Sequence, residues 1–326
     1  MSSVDGAKTA WLFPGQGSQS VGMGKETILA SAAARDIWDR VDRALGESLH
    51  ALVMGGPEEA LTLTANAQPA ILATSCVVLA ALRERFPDLP PPALAAGHSL
   101  GEYSALVAAN ALSVENAVRL VRARGLAMQE AVPAGVGAMA AVMVLDADVV
   151  AAVCQEAEQA AEGEVVRPAN FNSPGQIVIA GHTAAVQRAA QLATARGGKA
   201  KMLNVSAPFH SPLMAPAARA LEARLADVPI SSLAFPIVAN VDARPNQDAG
   251  RVKQLLVQQV DGAVRWEETI RAMHAHGITH ALEIGPGKVL AGLSRRVVKE
   301  LKVLSVCDPK SFDEVPAFLS GAGALS

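Results

Sequence analysis

Along the first third of the chain, short apolar runs alternate with longer stretches whose apolar residues recur every three or four positions. The run at 9–13, Thr-Ala-Trp-Leu-Phe, meets Pro14 and a glycine-rich turn, and reads as a strand. Helical spacing follows at 32–45, 68–85, 102–109 and 114–131. Residues 87–92, Pro-Asp-Leu-Pro-Pro-Pro, form a rigid surface link. Residues 93–96 are a short buried strand running into Gly97-His98-Ser99. Strand, sharp turn and helix in repetition predict a parallel α/β sheet.

The rhythm changes over about 132–205. Strands are expected at 136–145, 165–171, 176–180 and 201–205, and helices at 146–161 and 183–196. Asn172-Ser-Pro-Gly175 is a strong turn between the middle strands. This βαββαβ order is the ferredoxin-like pattern. The larger α/β unit resumes after it. The expected organisation is therefore a catalytic unit made of 1–131 and 206–326, with 132–205 inserted. The closing segment shows a helix at 264–276, a buried strand at 281–284, the turn Gly285-Pro286-Gly287 and a helix at 288–299.

Composition narrows the function classes. With 326 residues, 51% of them hydrophobic, the chain can build a sizeable core. A formal net charge of −3 points away from nucleic acid and anionic membranes as partners. Cys76, Cys154 and Cys307 are far apart and odd in number, which fits neither a disulfide framework nor a CxxC metal site. A reducing cytoplasm is the expected setting. The N-terminal residues lack an apolar signal core. The apolar part of the uncharged stretch 60–82, residues 70–82, is shorter than the ~18 residues that span a bilayer, and is expected as a buried helix.

Gly97-His98-Ser99-Leu100-Gly101 fits G-x-S-x-G in the right context, with a strand before and a helix after. Such an elbow exposes a serine hydroxyl and leaves the next N–H, that of Leu100, to stabilise an oxyanion. Gly15-Gln16-Gly17-Ser18-Gln19 lacks the third glycine and the acidic partner of a dinucleotide fingerprint. It is either a plain turn or a second oxyanion donor. A serine needs a base. His210 opens the return to the larger unit, in a loop fixed by Pro208 and Pro212. His98 is expected to point away from its neighbour. His274, His276 and His280 lack metal-ligand spacing and are expected at the surface or as caps. Arg122 and Arg124 cannot share one helix face, which leaves one of them free to turn inward and grip a carboxylate.

Seven segments, in this order, resemble the malonyl-CoA:acyl carrier protein transacylases of fatty acid and polyketide synthesis. They are Gly15-Gln-Gly-Ser-Gln19, Gly97-His-Ser-Leu-Gly-Glu102, Arg124-Gly-Leu-Ala-Met-Gln129, Asn170-Phe-Asn-Ser-Pro-Gly175, Pro208-Phe-His-Ser-Pro212, Arg265-Trp266 and Glu283-Ile-Gly-Pro-Gly287. The resemblance implies an α/β-hydrolase-like core with a ferredoxin-like insert. It implies Ser99 as nucleophile, His210 as base, the N–H groups of Gln16 and Leu100 as oxyanion hole, and Arg124 as the malonyl carboxylate clamp. It implies that the backbone carbonyl of Gln259 orients the histidine, in place of a triad carboxylate. Asn170 falls where the family lines the entrance or anchors the junction. Phe209 resembles the bulky residue of malonyl-selective members. The family carries a Pro before Val-x-Trp, where this chain has Gly262-Ala263-Val264-Arg265-Trp266, so the loop expected to hold Gln259 should be looser.

The implied reaction passes malonyl from malonyl-CoA to Ser99 and then to the phosphopantetheine thiol of an acyl carrier protein, in a monomer without metal or redox cofactor. Lys199, Lys201, Arg295, Arg296 and Lys299 are candidate contacts for an acidic carrier. A thioesterase or esterase on a similar elbow is the main rival, although those run Ser…Asp/Glu…His with the histidine near the end. A non-catalytic docking module is the second rival, and would not need Ser99, His210 and Arg124 together.

Overall fold

The computed structural model describes residues 8–205 and 207–323. Residues 1–7, read above as lacking a signal core, and Ser206, at the expected boundary, lie outside the described residues. The chain opens with β1 (Thr9–Phe13), then α1 (Lys25–Ala30), α2 (Ala32–Leu45), α3 (Leu49–Gly55), α4 (Glu58–Thr62) and α5 (Thr64–Arg85). β2 (Leu94–Gly97) leads to α6 (Gly101–Ala108) and α7 (Val114–Glu130). Next come β3 (Gly137–Met143), α8 (Ala147–Gln159), β4 (Val166–Ser173), β5 (Gln176–His182), α9 (Thr183–Ala195) and β6 (Lys199–Met202). The remainder is α10 (Ala215–Leu225), β7 (Ile237–Val238), β8 (Pro245–Asn246), α11 (Ala249–Asp261), α12 (Trp266–Ala275), β9 (His280–Ile284), α13 (Val289–Val297), β10 (Lys302–Val306) and α14 (Pro309–Gly323).

The result is mixed α/β with two sheets. The first is six-stranded in the order β10-β9-β1-β2-β7-β8, parallel except where β8 turns back on β7. The second is four-stranded and antiparallel, in the order β4-β5-β3-β6. β1 shows why the first sheet is central. Trp11 and Phe13 enter one core, while Ala10 and Leu12 enter the core on the opposite face. A strand buried on both faces is what helices on both sides of a parallel sheet demand. A third core, with Val142, Val150, Ile179 and Val186, lies between the second sheet and α8 and α9.

α5 begins one turn before the expected start at 68. Pro69 therefore sits inside it and cannot donate to the Ala65 carbonyl. Arg122 Nη1 donates to that carbonyl instead, at 2.8 Å. The helix is 22 residues long, so by length and composition it could cross a membrane, but 89% of its most apolar window is buried in the protein. β6 lies at Lys199–Met202 rather than 201–205. It is an exposed edge strand, whose pattern carries little alternation. His280, expected at the surface, is buried in β9 with its ring edge-on to Phe318 at 5.1 Å.

Glu283, in β9, is fully buried, and burial pushes its carboxyl up from the ordinary range. Its oxygens accept from the N–H groups of Leu290 and Ala291 at 2.8 and 3.0 Å and from the Ser305 hydroxyl at 2.8 Å. One side chain thus ties β9 to the start of α13 and to β10. Glu283→Ala strands these donors and should lower unfolding stability by about 2–4 kcal/mol. An unchanged urea midpoint would show that the tie is dispensable.

Candidate active site

The site is built on the turn after β2. The His98 N–H still donates to the Phe13 carbonyl at 3.0 Å, as a last rung of the sheet. The chain then reverses into α6. Ser99 has φ 52°, in the left-handed region that costs a non-glycine residue about 1–2 kcal/mol. The flanking glycines are required by contact. A Cβ on Gly97 would lie 1.9 Å from the Gly101 carbonyl carbon, and one on Gly101 would lie 2.2 Å from the Phe13 oxygen.

His210 also has a left-handed backbone, with φ 58°. Its turn is closed by the Ser211 hydroxyl, which donates to the Pro208 carbonyl at 2.7 Å. Nδ1 of His210 faces the Gln259 carbonyl at 2.8 Å and the Gly262 carbonyl at 3.2 Å. Carbonyls only accept, so Nδ1 carries the proton and Nε2 presents a lone pair. Ser99 Oγ lies 2.8 Å from that Nε2 and donates to it. Burial, and next the charge of Arg124, push the His210 pKa down to about 3. The imidazole is therefore a neutral acceptor at neutral pH.

Arg124 is the arginine that turns inward; it is 2% exposed. Arg122 turns the other way, to Glu47, Asn66 and the Ala65 carbonyl. Nη2 of Arg124 donates to Ser99 Oγ at 3.0 Å and to Gln259 Oε1 at 2.9 Å, and Nη1 donates to Gln68 Oε1 at 2.7 Å. Its Nε has no partner among the described residues.

These groups face a cleft of about 360 Å³. Gln16, His98, Ser99, Arg124, Phe209 and His210 line it on one side, and Met139, Asn170 and Val178 of the second sheet on the other. Asn170 also forms a parallel bridge to Val264, in the segment just before α12. The Val264 N–H donates to Ala169 O and its carbonyl accepts from the Phe171 N–H, both at 2.9 Å. That pairing, and the burial of Gln259 inside α11, hold the segment expected to be loose for want of a proline. The N–H groups of Gln16 and Leu100 donate to no acceptor among the described residues. His98, expected to point away, lines the cleft, but its Nε2 pairs with Asn172 Oδ1 at 2.9 Å and not with Ser99.

Three contributors had no role in the sequence reading. Gln68 holds the far prong of Arg124. Glu102, in the first turn of α6, is 3% exposed and burial pushes its carboxyl up to about 7. It accepts from the Gln259 side-chain amide at 2.9 Å and from the Asn240 N–H at 3.0 Å. Its place beside the elbow was legible; its partners were not. Asn240 stands in an ordinary-looking loop, Ala239-Asn-Val-Asp-Ala243, with no local signal. No group of three or more His, Cys, Asp or Glu capable of holding a metal occurs among the described residues.

A hydroxyl hydrogen-bonded to a buried neutral imidazole, at the mouth of an elbow, marks the class of serine enzymes that handle acyl groups. The chain belongs to one family within that class: residues 10–316 match the model of the acyl transferase domain. It is 47% identical to the malonyl CoA-acyl carrier protein transacylase of Bacillus subtilis, over 94% of this chain and 96% of that one. It superposes with a TM-score of 0.91 on the acyl carrier protein S-malonyltransferase of Vibrio cholerae, at 44% identity, covering 94% and 99% of the two chains. A malonyl-transacylase solved with the holo acyl-carrier protein of a type II polyketide synthase is 43% identical, with a TM-score of 0.90 over 94% and 98% of the chains.

The low pKa of His210 has a consequence for folding. The unfolded imidazole binds its proton near the ordinary 6.5 and the folded one only near 3, so in that window the unfolded chain holds more protons. Stability contributed at neutral pH is lost as the pH falls from about 6.5, by at most about 1.4 kcal/mol per unit. Glu102 acts in the opposite sense: its raised pKa means stability is lost as the pH rises between 4.5 and about 7. Lowering the pH from about 7 to about 5 should therefore destabilise the wild type more than His210→Ala. Equal losses in thermal or urea unfolding would show that the folded imidazole takes up its proton as readily as the unfolded one.

Proposed function

We propose that the chain transfers a malonyl group from malonyl-CoA to the phosphopantetheine thiol of an acyl carrier protein, through an ester on Ser99. The observation that carries this reading is the hydrogen bond between Arg124 and Ser99 Oγ. It puts a buried, permanent cation where the acyl group arrives. An arginine fork holds both oxygens of a carboxylate.

In the first half-reaction, His210 Nε2 takes the Ser99 proton as Oγ attacks the thioester carbonyl carbon. The N–H groups of Gln16 and Leu100 receive the developing oxyanion. The carbon–sulfur bond then breaks, and the coenzyme A sulfur leaves with the proton from His210. In the second half, the carrier thiol gives its proton to His210 and attacks the ester, and Ser99 recovers the proton as it leaves. The Gln259 carbonyl keeps the tautomer fixed throughout. Transfer between thiols is redox-neutral, and base, oxyanion donors and cation all come from the chain, so the reading requires no cofactor. Phe209, 8% exposed beside His210, is assigned to crowd a branched acyl group, and Asn170 to line the entrance.

The finer fold reading is that 1–131 and 206–326 make an α/β-hydrolase-like catalytic unit and 132–205 a ferredoxin-like insert. The order β4-β5-β3-β6, with α8 and α9 on one face, supports it. The carrier is the assigned partner, in fatty acid or polyketide synthesis, and the enzyme acts as a cytoplasmic monomer. Lys199, Lys201, Arg295, Arg296 and Lys299 are exposed and form the proposed surface for an acidic carrier. A thioesterase would use the same serine and histidine, with water in place of the carrier thiol.

Incubation with malonyl-CoA and no acceptor should leave a malonyl mass on a peptide containing Ser99, and adding carrier should yield malonyl carrier rather than free malonate. Label on another residue would remove Ser99 as nucleophile, and free malonate as the main product would favour the hydrolase.

The clamp is tested separately. Arg124→Ala should lower the ratio of the malonyl-CoA to acetyl-CoA specificity constants by about 10–100-fold, the value of a hydrogen bond to a charged group. An unchanged ratio would place the carboxylate elsewhere.

A further inference from the structure

Asn240 lies between β7 and β8, fully buried, and it is not part of the cleft wall. Its side-chain amide grips the elbow on both sides of His98. Oδ1 accepts from the Ser99 N–H at 2.7 Å, and Nδ2 donates to the Gly97 carbonyl at 2.7 Å. Its own backbone is fixed in turn: the N–H donates to Glu102 Oε2 at 3.0 Å, and the carbonyl accepts from the Arg265 N–H at 3.0 Å.

The geometry answers a specific need. A left-handed serine between a strand and a helix has an N–H that belongs to neither ladder. Buried without a partner, that donor would favour a relaxed backbone and a different direction for the side chain. The Asn240 amide meets it and holds the carbonyl two residues back at the same time. With the Ser99 N–H engaged, the next one, on Leu100, is left without an acceptor among the described residues.

We infer that Asn240 is a positioning residue for acyl transfer: its amide clips Gly97 to Ser99, so that the left-handed backbone aims Oγ at His210 and leaves the Leu100 N–H for the oxyanion. This rests on Ser99 being the nucleophile. It deepens that reading by assigning the residue that keeps the nucleophile in place without touching substrate.

Two variants test it, read by the rate and KM of Ser99 acylation from malonyl-CoA. Asn240→Ala should lower the maximal acylation rate by about 10²-fold, the scale of a small misplacement of a reacting group. KM should stay within about threefold, because Asn240 itself bonds neither Arg124 nor the cleft wall. Asn240→Asp is nearly isosteric. Ionised, it still accepts from the Ser99 N–H but repels the Gly97 carbonyl. Protonated, it offers one acceptor and one donor, as the amide does. Glu102 in contact and Asp242 two residues on favour the protonated form, while Arg124, beyond Gln259, opposes it. The rate of Asn240→Asp relative to wild type should therefore climb as the pH is lowered.

A residue that only packs the loop would leave that ratio flat with pH, and a flat ratio overturns the inference. So does an Asn240→Ala acylation rate within about twofold of wild type. If Asn240→Ala does not fold, the pH dependence of Asn240→Asp decides. Failure of wild-type Ser99 to take the label overturns the assigned nucleophile instead, so the two failures are distinct.

Discussion

The site depends on one residue at the end of α11. The Gln259 carbonyl holds the proton-bearing nitrogen of His210, while its side-chain amide accepts from Arg124 and donates to the Ser99 carbonyl and to Glu102. His210, Arg124, Ser99 and Glu102 are therefore fixed relative to one another by a neutral group. The amide has a direction: its oxygen must face the guanidinium and its nitrogen the acid. Reversing it would set donor against donor and acceptor against acceptor at both ends. In so buried a site, that asymmetry gives the network one low-energy arrangement.

Using a carbonyl where many serine enzymes place an aspartate changes the electrostatics of the base. A carboxylate beside His210 would raise its affinity for a proton strongly; the neutral carbonyls of Gln259 and Gly262 raise it less, and burial and the Arg124 charge outweigh them and lower it. The imidazole stays neutral and ready to accept, and a lasting imidazolium is disfavoured. That suits a reaction in which the proton is passed on within each half-cycle. Glu102 faces Arg124 across the Gln259 amide, and both side chains are almost wholly buried.

Much of this was legible in the sequence, for physical reasons that also mark where legibility ends. Ser99 announces itself because an elbow needs glycines at fixed offsets, and His210 because prolines frame its turn. The order of strands and helices follows from spacing that only buried elements require. Asn240 and Gln68 are different: each meets its partner far along the chain, and neither sits in a local pattern. α11 escaped notice although its Asp248 cap is conventional, because its buried face includes the polar Gln259. The short strands β7 and β10 are read only once their neighbours are in place. The error at His280 has the same origin: a histidine in a buried strand looks no different in sequence from one at a helix end.

The left-handed backbones of Ser99 and His210 carry an evolutionary consequence. Each is a side chain placed where glycine or asparagine would sit with less strain, at a cost of order 1–3 kcal/mol apiece. Nothing in the packing of the sheets asks for a serine or a histidine at those points. A duplicated copy of this gene released from selection for its reaction would thus find easy substitutions at both, and would become sturdier as it lost its chemistry. Durability and inactivity would arrive together, so an unusually heat-resistant relative with an intact fold is as apt to be a retired enzyme as an improved one.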